Sequence, residues 1–474
     1  MARRSRLRSA DWALTVGADR SSRGRTDMTT SRRSRLSTWW WEVSYRVGPN
    51  LWVTPLLMSI GSVLLFAFSV YIDRNVELRL SWFPNALIDD SASDAAILVT
   101  ALLGAVATAL ALVFSTSILT FSLASSQLGP RLIRRFMKDP VTQVTLGAFL
   151  GTVIFNVLTL SAIRSAPGSR LPTFSVFLVE VLSLCCFGLL VFYIHRVAST
   201  IQAPNVVASV VADMGKVLED TAASLQLVLQ EDDLEKVAAV VAQSRESGAP
   251  IAAIQTGYVE LIDVERLLQA AASAGAVIVL NRRPGQFTQV GQTLAWVSPA
   301  DAAGRVTKMI AETVEIGRYR TLRQDLEFAI AQVVEIALRA LSPAINDTYT
   351  GLTCLDWLGA AMVQVGTYPE RTGGVCDHDG VLRLVVPPLK FDRVLKTAFD
   401  LIRQSGSNNP AILIRILDAI YAMAPVVRPE HLVPLRQHAE LVVETARSGS
   451  FVSGDVDDIE QRYSLTMAAL DAAS

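Results

Sequence analysis

The chain has 474 residues, 51% of them hydrophobic, and 43 Lys and Arg nearly balance 44 Asp and Glu. That length leaves room for two or three units that each bury a core, and four Cys are too few for a disulfide framework. The apolar residues gather before Arg196, the pattern of a membrane protein rather than of one large soluble core.

Residues 1–46 hold eleven Arg against four acids with no apolar period, so 1–38 reads as a disordered basic leader. No apolar core follows the first arginines, so no signal peptide is expected, and translation is expected from Met1 or from Met28. Trp39, Trp40, Trp41, Tyr45 and Trp52 suit the headgroup level, where rings with an apolar body and a polar tip are favoured. Four apolar spans follow at 51–72, 95–130, 141–163 and 171–194, which defines a transmembrane domain over 39–195. The second is overlong, with no charged side chain between Asp94 and Arg131. As a helix it would run about 45–55 Å against a hydrocarbon core of roughly 30 Å, and so would project past one face.

From 196 to 250 the apolar spacing predicts a helix or helix pair linking membrane to cytosol, closed by a linker at 246–250. Residues 251–300 predict a small β module: strands at 258–262 and 277–280, a short helix at 264–274 capped by Asp263, and a turn at Arg283-Pro284-Gly285. Residues 301–474 read as mainly helical, with one further strand at 381–386. The expected fold is therefore an α-helical integral membrane domain of four spans, then a cytosolic α+β region with a small β module and a helical C-terminal part.

Several residues in this frame carry candidate chemistry. In the second span Gly104, Thr108, Ala111, Ser115, Ser122, Ser126 and Gly129 fall within about 40° either side of Ser115 at roughly 100° per residue. Such a stripe suits either the wall of a narrow polar pathway or a close helix–helix seam. Gly147 and Gly151 form a G-x-x-x-G pair, for which packing is the expected role. Glu180 sits inside the fourth span, where a charge costs on the order of 2.5–3.5 kcal/mol on insertion scales. It binds a cation or relays a proton, or it is protonated and hydrogen-bonded across helices, with Asn156 a possible partner. Arg131, Arg134, Arg135 and Lys138 either hold anionic lipid headgroups or set orientation by the positive-inside rule.

Downstream, Ser342, Asn346 and Asp347 mark a loop that serves ligand binding or catalysis, or in which Pro343 stops one helix and Asp347 or Thr348 caps the next. Glu335 and Arg339 stand at i,i+4 just before it. Cys376-Asp377-His378-Asp379 lies in a Gly-rich stretch with no second ligand pair at metal spacing, and reads as a solvated turn. No P-loop, G-x-G-x-x-G, H-E-x-x-H or G-x-S-x-G occurs, so no catalytic, cofactor-binding or metal-binding residue is assigned.

Leu123-Ala-Ser-Ser-Gln-Leu-Gly-Pro-Arg131, with Arg134, Arg135, Phe136 and Met137, and Ala340-Leu-Ser-Pro-Ala-Ile-Asn-Asp347 resemble a bacterial family of predicted membrane proteins filed as domain of unknown function 2254. The resemblance covers roughly 39–445 and implies a bacterial plasma (inner) membrane protein, without implying an activity. The segment 285–294 also resembles the closing hairpin of biotinyl/lipoyl-like barrel-sandwich modules, but lacks the Met-Lys-Met attachment tripeptide. Lys and Arg counts place both termini in the cytoplasm.

The functional expectation is an oligomeric ion channel or transport protein with a cytosolic regulatory or assembly domain. Four spans with one polar stripe do not easily enclose a path alone, whereas copies facing each other along the stripe would. The alternative is a membrane-anchored sensor or scaffold whose cytosolic region binds a ligand or partner. The expected partners are the lipid bilayer, further copies of the chain, and an ion or small ligand; no nucleic acid, no cofactor and no enzymatic activity are expected.

Overall fold

The computed structural model describes residues 51–75, 92–127, 137, 139–165, 172–200, 202–224, 234–370 and 373–474. The leader, Gly129, Arg131, Arg134, Arg135 and Lys138 lie outside them. Among the described residues four helices are long and apolar enough to cross a membrane: α1 (Val53–Asn75), α2 (Ala92–Gln127), α3 (Pro140–Ser165) and α4 (Thr173–Thr200). The α2 helix is one unbroken rod of 36 residues, about 54 Å at 1.5 Å per residue.

The packing centre of the bundle is α3, which lies against α1, α2 and α4. Its two glycines allow a close approach to α1. A side chain at Gly147 would meet Met58 and Pro55 of α1, and Ser62 of α1 donates its hydroxyl to the Gly151 carbonyl at 2.5 Å. Small residues let two backbones approach where lipid offers no hydrophobic drive. The bundle ends are capped by side chains. Asp139 accepts from the Thr142 amide and hydroxyl at the start of α3. Asp73, in the last turn of α1 rather than in the loop after it, accepts from the Phe174 and Ser175 amides at the start of α4. A carboxylate at a helix N-terminus satisfies orphan N–H groups and the positive end of the dipole.

Beyond the bundle come α5 (Ala203–Ser224) and α6 (Leu234–Ser247), then two small sheets. The strands are β1 (Ala249–Ala252), β2 (Gly257–Ile262), β3 (Val277–Leu280), β4 (Phe287–Thr288), β5 (Thr293–Ser298), β6 (Val314–Gly317), β7 (Gly374–Cys376) and β8 (Leu382–Val385). One sheet runs β1-β5-β3-β8-β7, the other β4-β2-β6. The helix α7 (Val264–Ser273) starts at Asp263, whose carboxylate accepts from the Arg266 amide, and α8 (Ala303–Thr313) leads into β6.

Three differences from the sequence expectation stand out. The stretch 246–250 is the end of α6 and the start of β1, because pairing with β5 overrides the Gly and Pro in it. The segment 285–294 forms no hairpin. Gly291, at φ +84°, carries the chain from β4 in one sheet to β5 in the other. The strand at 382–385 lies parallel to β3, so the sheet draws on residues far beyond 300.

The helical part comprises α9 (Leu326–Ala340), α10 (Thr348–Gly366), α11 (Phe391–Ser405), α12 (Pro410–Met423), α13 (Leu432–Ser448) and α14 (Ser453–Ala473). Their apolar faces share one core with Val206, Val207, Val210 and Met214 of α5. Phe121 and Ala124, from the far end of α2, enter that same core. The overlong span therefore ends inside the C-terminal region.

Candidate functional site

The end of α2 is fixed by a side chain from α9. Arg339 Nη1 donates to the Ser125 carbonyl at 3.2 Å and to the Ser126 carbonyl. The last carbonyls of a helix have no intrahelical donor and carry the negative end of the dipole, so a guanidinium satisfies both.

The loop after α9 follows at once. Ser342 donates its hydroxyl to the Arg339 carbonyl at 2.7 Å, and the Asn346 amide donates to the Ser342 carbonyl at 2.8 Å. Asn346 holds φ +52°, a conformation that Asn tolerates better than most residues. Asp347 caps α10, accepting from the Thr350 amide at 3.0 Å and its hydroxyl at 2.5 Å, and these bonds hold its carboxyl below the usual range. The loop is thus a built helix–helix corner, with Ile345 and Tyr349 on its exposed surface.

The stripe on α2 lies outside its own bundle. Gly104, Thr108, Ser115, Ser122 and Ser126 are all exposed, and nothing lies within 4 Å of a side chain built at Gly104. Val106, Val113, Ser117 and Ala124, which are buried, stand about 160–180° around the helix from Ser115. Thr108 bonds back to the Gly104 carbonyl, so its hydroxyl hydrogen is already used. Leu112, Phe114, Ile118 and Leu119 flank the stripe and are also exposed.

A second polar line runs inside the bundle. Thr145, Thr152, Asn156 and Thr159 share an arc of about 60° on α3, on the side turned away from Gly147 and Gly151. All four are buried. Cys186 of α4 donates its thiol to Thr152 Oγ1 at 3.3 Å. Among the described residues Thr145 Oγ1, both amide atoms of Asn156, Thr159 Oγ1, Ser183 Oγ and Glu180 Oε1 have no hydrogen-bond partner. The sequence reading singled out Glu180 and Asn156 but missed this line, which a 100° count along the third span, like that made along the second, displays.

Also missed was a charge cluster where the β module meets the helices. Glu327, in the first turn of α9, accepts from Arg283 at 2.5 Å and Arg393 at 2.6 Å. Asp325 accepts two bonds from Arg320, at 2.7 and 2.8 Å, and caps α9 through the Phe328 amide. Gly285, at φ +86°, lies so close to the Asp325 carboxylate that a side chain would collide with it. Burial pushes the Arg283 guanidinium below its ordinary value, with Glu327 working against that. Such a paired network holds two units together and leaves no free nucleophile or base.

Elsewhere in the β module an open cleft of about 320 Å³ is lined both by apolar side chains, Ile251, Leu294 and Ile310 among them, and by Glu260, Glu312 and Glu315. Glu315 is held by Arg323 at 2.7 Å. Of the Cys376–Asp379 stretch, Cys376 is buried at the end of β7, and the turn begins after it, organised by Asp377, which accepts from the Asp379 and Val381 amides and from Arg383.

The predicted membrane protein family DUF2254 matches residues 49–422. The chain belongs to that family. This DUF2254 protein is also 28% identical over 349 residues to the uncharacterized protein Rv1290c of Mycobacterium tuberculosis and to the uncharacterized protein Mb1321c of Mycobacterium bovis. Each match covers 72% of this chain and 66% of the relative, just under two thirds of its length. No solved structure matches. The family range takes in all four spans, the α2–Arg339 joint, the 342–347 loop and both polar lines.

Proposed function

We propose that this DUF2254 protein is an oligomeric channel or transport protein of a bacterial inner membrane, with both termini cytoplasmic, whose C-terminal region regulates or assembles it. Copies meet along the α2 stripe, and its hydroxyls line the path between them. The observation that carries this reading is the stripe's position. Among the described residues, its small and hydroxyl-bearing positions are exposed and turned away from the other helices, which leaves a packing or pathway role to a second copy. The α2 rod then ties that surface to the C-terminal core through Phe121, Ala124 and the Arg339 cap.

Single cysteines introduced from Gly104 to Ser126, probed with a water-soluble thiol reagent, test the pathway. Labelling confined to the stripe, together with ion flux in liposomes, supports it. Uniform protection along α2 with no flux refutes it. A second reading, a membrane-anchored sensor, is favoured by the β-module cleft, and predicts protection of the stripe with ligand-dependent stabilisation of the C-terminal region.

A further inference from the structure

We propose that the interior of each four-helix bundle holds a site for one monovalent cation, bound in competition with a proton, on Asn156, Thr159, Glu180 and Ser183. The site lies within one chain and stands whether or not copies associate along α2. Asn156 and Thr159 are 0% exposed and Ser183 is 1% exposed, while Glu180 is half-buried, with its Oε1 enclosed. Neither amide atom of Asn156, neither hydroxyl, and not Glu180 Oε1 has a partner among the described residues. Each such group at membrane depth costs several kcal/mol where no water is at hand, so a run of them marks a place where something polar is received.

The contact between Cys186 and Thr152 sets the register of α3 against the antiparallel α4. One helical turn along, Asn156 comes level with Ser183, and the next turn brings Thr159 level with Glu180. The donors are amide, hydroxyl and carboxylate oxygens. Such a set suits a hard alkali cation and not a metal that prefers sulfur or imidazole.

Charge decides the valence. The other charged side chains of the four helices stand in or near their terminal turns: Asp73 and Arg74 on α1, Asp94 on α2, Arg164 on α3, His195 and Arg196 on α4. Asp73 is engaged with the start of α4. Of the remaining titratable groups on these helices, Tyr71 and Cys185 face outward, Cys186 is bonded to Thr152, and Tyr193 is bonded to Ser117. Among the described residues of the four helices, Glu180 therefore has no cationic side chain at its depth. An ionised carboxylate there needs one positive charge, which a proton or a monovalent cation supplies and a divalent ion exceeds. In the exchange the cation binds the carboxylate oxygens, the Glu180 O–H bond breaks and the proton leaves to solvent.

The test uses the full chain purified in detergent and melted in sodium, potassium or choline chloride at equal ionic strength, at acidic and at alkaline pH. A saturable rise in Tm with sodium or potassium over choline, larger at alkaline pH and lost in Glu180→Gln, supports the site. Equal melts in all three salts at both pH values, or the same rise in Glu180→Gln, overturn it. Infrared spectra of the unmutated protein give a second readout that needs no variant. Loss of a protonated carboxyl band on adding sodium or potassium supports the exchange, and a band unchanged by any of the salts overturns it. Absence of ion flux in liposomes would count against transport while leaving these binding measurements unaffected.

Discussion

Arg339 does two jobs within a few ångströms: its guanidinium closes the end of α2, and its own carbonyl accepts from Ser342 in the adjoining loop. Replacing it by Gln shortens the reach and removes the charge. Because hydrogen bonds to charged groups are worth about 1.5–3 kcal/mol, Arg339→Gln is expected to destabilise the protein by about that amount, read as a lower Tm in detergent. His438 offers a pH test. Burial pushes its imidazole down from the ordinary value of 6.5, with Asp400 at 3.3 Å only partly offsetting this and Arg403 adding to the fall. A depressed folded pKa means the unfolded chain takes up the proton first as pH drops. Stability is thus fully present above about pH 6.5 and declines as pH falls toward the folded value. His438→Gln, neutral throughout, is expected to flatten that part of a plot of Tm against pH.

At the scale of elements, α1 and α3 meet along a seam set by two glycines, of which Gly147 is the tighter. A Cβ there would lie 2.5 Å from Met58 Sδ and 3.1 Å from the Pro55 Cα, and the backbone cannot yield as the Met side chain can. Gly147→Leu is expected to separate the helices and lower the yield of monodisperse protein in size-exclusion chromatography, whereas Gly104→Leu, on the open face, leaves folding intact. Most elements were legible in the sequence because their signals are local. The apolar run without charge marks α2, Asp263 marks the start of α7, and Asp347 the start of α10. The short strands β1, β6 and β7 were not legible, since each is three or four residues long and exists through pairing with distant partners. The same limit hid the cluster of Arg283, Arg320, Asp325, Glu327 and Arg393, whose members come from separate elements and meet only in the fold.

For the whole molecule, α2 joins a membrane bundle to a helical core, and its outward stripe is the surface on which copies are proposed to meet. Sequence periodicity identified that stripe, but not which way it faces, because orientation depends on which side of α2 the other spans occupy. The direct measurement is oxidative cross-linking of single cysteines at Thr108, Ser115 and Ser122 in native membranes, with the exposed Cys185 replaced by Ser and Val191→Cys on α4 as a lipid-facing control. The account predicts covalent dimers at the three α2 positions and none at Val191. Dimers at Val191 with none along the stripe, or no dimers at any position, would contradict it.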